Sequence, residues 1–144
     1  MKRFLNSVRP AIALIAFVSA AAVFASPVGV WKTVDDETGQ AKSHVQIYEY
    51  NGMLFAKIIQ LINPSEPNPT CTECEGSRHN QPIQGMVIMW NMSPDGNEWS
   101  GGQILDPKNG NVYRCKMWLE GNNQLKVRGY LGPFYRTQTW YRIS

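Results

Sequence analysis

Between residues 48 and 125 the chain is cut into short pieces by clusters of glycine, asparagine, aspartate and proline, and this punctuation limits its fold more than any other feature. Asn51-Gly52 stands between Glu49-Tyr50 and Met53-Leu54-Phe55, and both residues tolerate the positive φ of a two-residue type I′ hairpin. Pro94-Asp95-Gly96 and Asp106-Pro107-Lys108-Asn109-Gly110 set a proline at the second position of a turn with a glycine after it, and Gly121-Asn122-Asn123 closes a further hairpin. The runs between these turns are short, rich in Val, Ile, Tyr, Trp and Thr, and free of helical periodicity. Strands are predicted at 29–34, 43–50, 53–62, 85–92, 97–105, 111–120, 123–130 and 136–143. Successive hairpins make antiparallel neighbours, and closing the meander removes its two edges. The expected fold class is all-β, an antiparallel up-and-down β-barrel of about eight strands.

Side-chain alternation agrees with a barrel. Tyr113, Cys115, Met117 and Leu119 share one face of their strand, Arg114, Lys116 and Glu120 the other, and Leu125 and Val127 continue the apolar set. Segments 58–62 and 86–92 are apolar on both faces, which a sheet facing water on one side does not need. Something must cover them, and the proline-rich insertion at 63–84, which lacks any periodicity, is the candidate cover.

The N-terminus sets the address. Lys2, Arg3 and Arg9 precede the apolar run AIALIAFVSAAAVF, and a small residue, Ala25, stands before Ser26-Pro27. A basic region, an apolar region and a small residue at the cut make residues 1–25 a secretory signal peptide, leaving residues 26–144 as a single domain. The apolar run is shorter than the roughly 20 residues a membrane span needs, and no second such run follows. The chain is therefore read as exported and not membrane-spanning. Its 14 basic against 11 acidic residues become an even balance once the three leader cations are removed, so no basic domain remains to bind nucleic acid.

Export makes disulfides available, and the stretch NPTCTECEGSRHN holds Cys71 and Cys74 in C-x-x-C spacing, with His79 nearby. Four readings stand beside one another. Cys71 and Cys74 can close a local disulfide, which leads; either can reach Cys115 instead, although Cys115 alternates with core residues and resembles a small buried hydrophobe. Zinc needs a fourth ligand beyond Cys71, Cys74 and His79, which only a distant Cys115, His44 or carboxylate could supply. Thioredoxin-like chemistry needs a βαβ setting that is missing here. No metal is assigned.

Four blocks in order, GVWKTVDDETGQAKSHVQIYEYNG, GGQILDPKNGNVYRCKMWL, LKVRGYLG and RTQTWYR, resemble the exported bacterial family catalogued as domain of unknown function 2147, across nearly all of residues 28–143. The resemblance implies a lipocalin-like barrel and a periplasmic location, and no established activity. Gly29-x-Trp31 is similar to the first-strand signature of lipocalins, in which a tryptophan closes the base of the barrel and a late arginine lies across it. The matching arginine here is Arg142, and Trp31 and Arg142 are accordingly expected to be structural.

Asp106 heads a turn and is expected to accept backbone N–H bonds there. Asp35, Asp36 and Glu37 form an acidic turn without a full calcium ladder, and His44 is read as an ordinary strand residue. Tyr113, Arg128, Arg136 and Trp140 are the ligand-binding candidates, although each of the two arginines reads first as a surface charge and only second as an anion-binding group at the barrel mouth. The chain shows no nucleophile elbow, H-E-x-x-H or phosphate loop, and its two histidines offer no credible triad. No catalytic residue and no cofactor are assigned. The reading that results is a periplasmic binder of a small apolar or amphipathic ligand. The alternative is an envelope interaction protein with a filled barrel, whose partner surface lies on the 63–84 loop or on exposed aromatics such as Trp118 and Tyr130.

Overall fold

The computed structural model describes residues 8–17 and 25–144. The signal-peptide reading of residues 1–25 falls largely on segments outside the described residues. Eight strands follow one another: β1 (Gly29–Val34), β2 (Ala41–Tyr50), β3 (Met53–Leu61), β4 (Val87–Asp95), β5 (Glu98–Leu105), β6 (Val112–Glu120), β7 (Gln124–Leu131) and β8 (Phe134–Arg142). Each pairs antiparallel with the next, and β8 returns to β1, so the sheet is a closed barrel. The up-and-down barrel expected from the turns is the fold.

Three turns form where the sequence places them. Asn51 and Gly52 both have positive φ, 51° and 77°, as a type I′ hairpin requires. The Asp106 turn and the Asp35 turn share one construction. In each, the aspartate carboxylate accepts the backbone N–H two residues on, and a glycine four residues on, Gly39 or Gly110, donates back to the aspartate carbonyl. The Pro94-Asp95-Gly96 turn is displaced: Pro94 lies in β4 opposite Trp99, Asp95 pairs with Glu98, and the reversal occurs at Gly96-Asn97. A further hairpin, absent from the sequence reading, joins β7 and β8 at Gly132-Pro133, with Gly132 at φ 57°. Glycine at the first central position and proline at the second make this a type II′ turn, so these strands reach Leu131 and Phe134 rather than stopping at 130 and 136.

The barrel has two unlike ends. At one, which we call the floor, lie residues 26–28, the C-terminus and the turns β2–β3, β4–β5 and β6–β7. The other, the mouth, carries the turns after β1, β5 and β7 and the long connection between β3 and β4. Trp31, Val45, Ile47, Met89, Met92, Met117, Leu125 and Trp140 are essentially sealed from solvent and fill the interior above the floor. Met89 and Met92 both point inward because Asn91, at φ 59°, makes a bulge between them.

The 63–84 insertion folds back as a small hairpin, with Cys71 N–H donating to Gln81 O and Ile83 N–H to Pro69 O. It covers part of the apolar wall as expected: Ile58 and Ile88 are buried and Cys71 and Cys74 join the core. Ile59, on the opposite face of β3, stays 37% exposed. The cover is therefore one-sided.

Candidate functional site

The floor is built by three residues. Gly29 has φ 144°, and a Cβ there would stand 2.3 Å from Ser144 O and 2.8 Å from Arg142 Nη1. Only glycine lets the C-terminus close against β1 at this point. Trp31 donates its indole N–H to Pro27 O (2.8 Å), and the Arg142 guanidinium lies 4.3 Å from its ring centroid. The same guanidinium donates to Asn122 O (2.6 Å), Val28 O (3.1 Å) and Ser26 O (2.7 Å). It thus ties the segment before β1, the β6–β7 turn and the indole together in a way a single ammonium could not. These contacts are those the lipocalin resemblance implies for Trp31 and Arg142.

Toward the mouth the inward chemistry changes. Two residues above Trp31, the Thr33 hydroxyl meets the Ser43 hydroxyl at 2.7 Å, both buried. Two residues above Trp140, Gln138 Oε1 accepts the Trp140 indole N–H at 3.4 Å. Higher still, Tyr113 occupies room left by Gly129, where an added Cβ would stand 3.3 Å from the Tyr113 Cβ. Its phenolic oxygen accepts from the Asn109 and Asn111 amides (3.1 and 3.3 Å), which leaves its own proton free to donate. Thr33, Ser43 and Gln138 were not singled out from sequence, although their two-residue spacing from Trp31, Val45 and Trp140 on the inward face is the signal that finds them.

The four ligand-binding candidates separate. Tyr113 lies at the mouth. Trp140 lies beneath it, 1% exposed, inside the packed core. Arg136 stands at the rim, where its guanidinium grips Asp36 bidentately and reaches Glu37 at 3.5 Å; the hydrogen bond to Asp36 raises its pKa further. Its anion-binding capacity is already used within the chain. Arg128 is not at the mouth at all. It faces outward on β7, where it donates to Thr137 Oγ1 (2.8 Å) and its guanidinium lies 4.8 Å from the Trp118 ring and 4.2 Å from that of Tyr135. Parity explains this placement: Val127 is buried and Arg128, its neighbour, faces the other way, as a surface charge does.

Asp106 accepts the Lys108 N–H at 2.9 Å and so is occupied within its own turn. The acidic turn is occupied likewise, with Asp35 Oδ1 accepting from Glu37 and Thr38 and Asp36 bound by Arg136. His44 lies opposite Lys32 on β2. Cys71 and Cys74 are bonded to each other, which sets aside the Cys115 bridge, the zinc set and free redox thiols at these positions. His79 Nδ1 instead lies 3.0 Å from Cys74 O, and Cys115 is free and buried, its thiol pushed up to about 12 by that burial. The disulfide anchors the insertion beside the β5–β6 turn, where Cys71 Sγ is 3.5 Å from Pro107 O. A narrow cleft of about 170 Å³ runs between the insertion and that turn, bounded by Cys74, Arg78, Leu105 and Asn111. A shallower hollow of about 350 Å³ lies on the insertion's other side, along Arg78 and Gln81 to Val87.

Outward positions of β6 and β7 carry charge while inward ones are mostly apolar, the reverse of a barrel whose outer wall faces lipid. Among the described residues no helix is long and apolar enough to cross a membrane. Among solved structures the chain is similar to protein HP1028 from the human pathogen Helicobacter pylori, described as belonging to the lipocalin family. The TM-score is 0.71 at 20% identity, over 83% of this chain and 84% of that one. This likeness shows a shared lipocalin-like fold. No curated protein matches the chain. A family model described as "uncharacterized protein conserved in bacteria (DUF2147)" matches residues 29–142, and with all eight strands inside that span, the chain belongs to this family.

Proposed function

We propose that the protein is exported to the periplasm and there binds a small apolar or amphipathic molecule at the mouth of its barrel. One observation carries the binding reading: the inward face passes from a dry, filled floor to polar steps at Thr33, Ser43, Gln138 and Tyr113. Eight-stranded barrels either fill with side chains or hold one small ligand, and the polar steps above the packed core support a guest near the mouth rather than at the floor. The filled floor limits the guest to a small one. An amphipathic molecule rests its apolar part on top of the packed core and offers an acceptor to the Tyr113 hydroxyl, whose lone pairs are engaged by Asn109 and Asn111. The basic residues and apolar run of positions 2–17 support export.

A titration with a fluorescent fatty-acid analogue tests the binding. Saturable one-to-one uptake is expected, weakened about fivefold by Tyr113→Phe, the worth of one hydrogen bond. Unsaturable partitioning, equal in both proteins, removes the proposal. Export is tested by fractionating cells that express the chain with and without residues 1–25; retention of both forms in the cytoplasm counts against it.

A further inference from the structure

We propose that the β7–β8 hairpin tip, with the outward wall beneath it, docks the protein on an anionic bilayer surface. Most of the barrel's hairpins end as solvated turns do. Asn51-Gly52, Gly96-Asn97 and Gly121-Asn122-Asn123 present polar or bare backbone. The β7–β8 tip carries three exposed apolar or aromatic flanks, Leu131 at 65%, Phe134 at 75% and Tyr135 at 61%, where the Asn51-Gly52 turn carries Tyr50 at 63%. Leu131 and Phe134 pair directly across the turn, so their side chains stand together. The Gly132-Pro133 turn between them fixes the presentation, and a rigid tip loses little freedom when it inserts.

The wall below the tip supplies charge complementarity. Arg114 lies 5.7 Å from the Tyr130 ring centroid, Tyr130 packs at a tilt against Tyr135 with centroids 5.9 Å apart, and Arg128 lies over Tyr135 and Trp118. This strip runs on the outer face from Tyr135 to mid-barrel, while Leu131 and Phe134, in step with Leu125 and Trp140, stand at the rim on the other face of the same hairpin. Among the described residues neither Arg114 nor Arg128 has a carboxylate partner, whereas the neighbouring cations Lys116 and Lys126 are matched by Glu98 and Glu120. In the acidic turn on the same rim, Asp36 and Glu37 pair with Arg136 on the inward side of β8, and Asp35 is engaged by the Glu37 and Thr38 N–H groups of its own turn. A hairpin that enters end-on brings both faces to the boundary between headgroups and acyl chains: Leu131 and Phe134 on one face and Tyr135 on the other enter it, and the guanidiniums lower on the outer face meet anionic headgroups. Docked this way, the mouth faces the bilayer. The inference stands apart from the ligand reading, since the tip binds vesicles whether or not the barrel holds a guest.

The test is cosedimentation of the leader-free chain with vesicles of phosphatidylcholine alone or enriched in phosphatidylglycerol. Binding to the anionic vesicles is expected, falling as salt rises. The tip variant Leu131→Ser/Phe134→Ser should bind at least about tenfold more weakly, and Arg114→Gln and Arg128→Gln about fivefold each. Because a weakened variant can also be a misfolded one, Phe134→Trp supplies a second readout. Its added emission should shift to the blue with anionic vesicles and stay unchanged with neutral ones. Absence of binding by the unmodified chain, equal binding by the tip variant, no blue shift, or capture of an acidic protein without any affinity for vesicles each overturns the proposal.

Discussion

At the scale of single residues, the chain's charges mostly serve its own backbone. Arg142 is the clearest case, because one planar fork satisfies three carbonyls and covers an indole face. Arg142→Lys keeps the charge and loses the fork, and should destabilise the barrel by about 1–2 kcal/mol in chemical denaturation. Asp35 shows the same economy in a turn. Backbone N–H bonds from Thr38 and then Glu37 hold its carboxyl below its ordinary 3.8. A depressed folded-state pKa stabilises above the unfolded value, and this contribution is lost as pH falls through the folded value. Asp35→Asn keeps the acceptor oxygen and removes the charge, so its melting temperature should fall less steeply below about pH 4 than that of the unmodified chain. Cys115 makes the opposite case, a thiol that burial pushes up to about 12. It should resist thiol reagents at neutral pH in the native protein and react once per chain on unfolding, by mass spectrometry.

At the scale of elements, the hairpins were legible and the insertion was legible only in part. Local chemistry fixes a type I′ turn at Asn51-Gly52 and the capped turns at Asp35 and Asp106, because each is satisfied by residues within five positions of one another. Local chemistry also misleads: Pro94-Asp95-Gly96 reads as one turn, yet Pro94 is drawn into β4 by its pairing with Trp99. The Gly132-Pro133 reversal was missed because its flanks, Leu131 and Phe134, are as apolar as strand residues. The insertion's docking depends on a residue distant from it. A Cβ at Gly110, whose φ is 75°, would stand 1.9 Å from Glu73 O. Gly110→Ala should therefore cost about 2–4 kcal/mol and open residues 63–84 to proteolysis while the remaining hairpins persist. Unchanged stability would place the insertion elsewhere.

At the scale of the whole molecule, closure is the weak joint. Strands β7 and β8 pair continuously from Gln124–Tyr141 to Leu131–Phe134, whereas β1 and β8 pair only at Trp31–Arg142 and Lys32–Tyr141. The seam is completed by Val30, which donates to Ser144 O and accepts from the Ile143 N–H. Local opening begins where protected backbone is sparsest. In native-state hydrogen exchange the seam amides of Lys32 and Tyr141 should lose protection before those of Met117 and Val127 at the centre of β6 and β7. Simultaneous exchange of all four would mean that the barrel opens only as one unit.

The sequence by itself determined the class, the number and order of strands and, wherever no bulge intervenes, the face each residue takes. Turn chemistry and a two-residue period are properties of neighbours along the chain, and neighbours are all they need. It also carried Trp31 and Arg142, through motif resemblance. Only the tertiary structure decided that Arg128 stacks on the outer wall, that Arg136 is consumed by Asp36, that Cys71 pairs with Cys74 rather than Cys115, and that Leu131 and Phe134 are left in solvent. Each of these depends on which strands meet when the cylinder closes. That is a question of register and tilt across residues far apart in sequence, for which the local pattern holds no information.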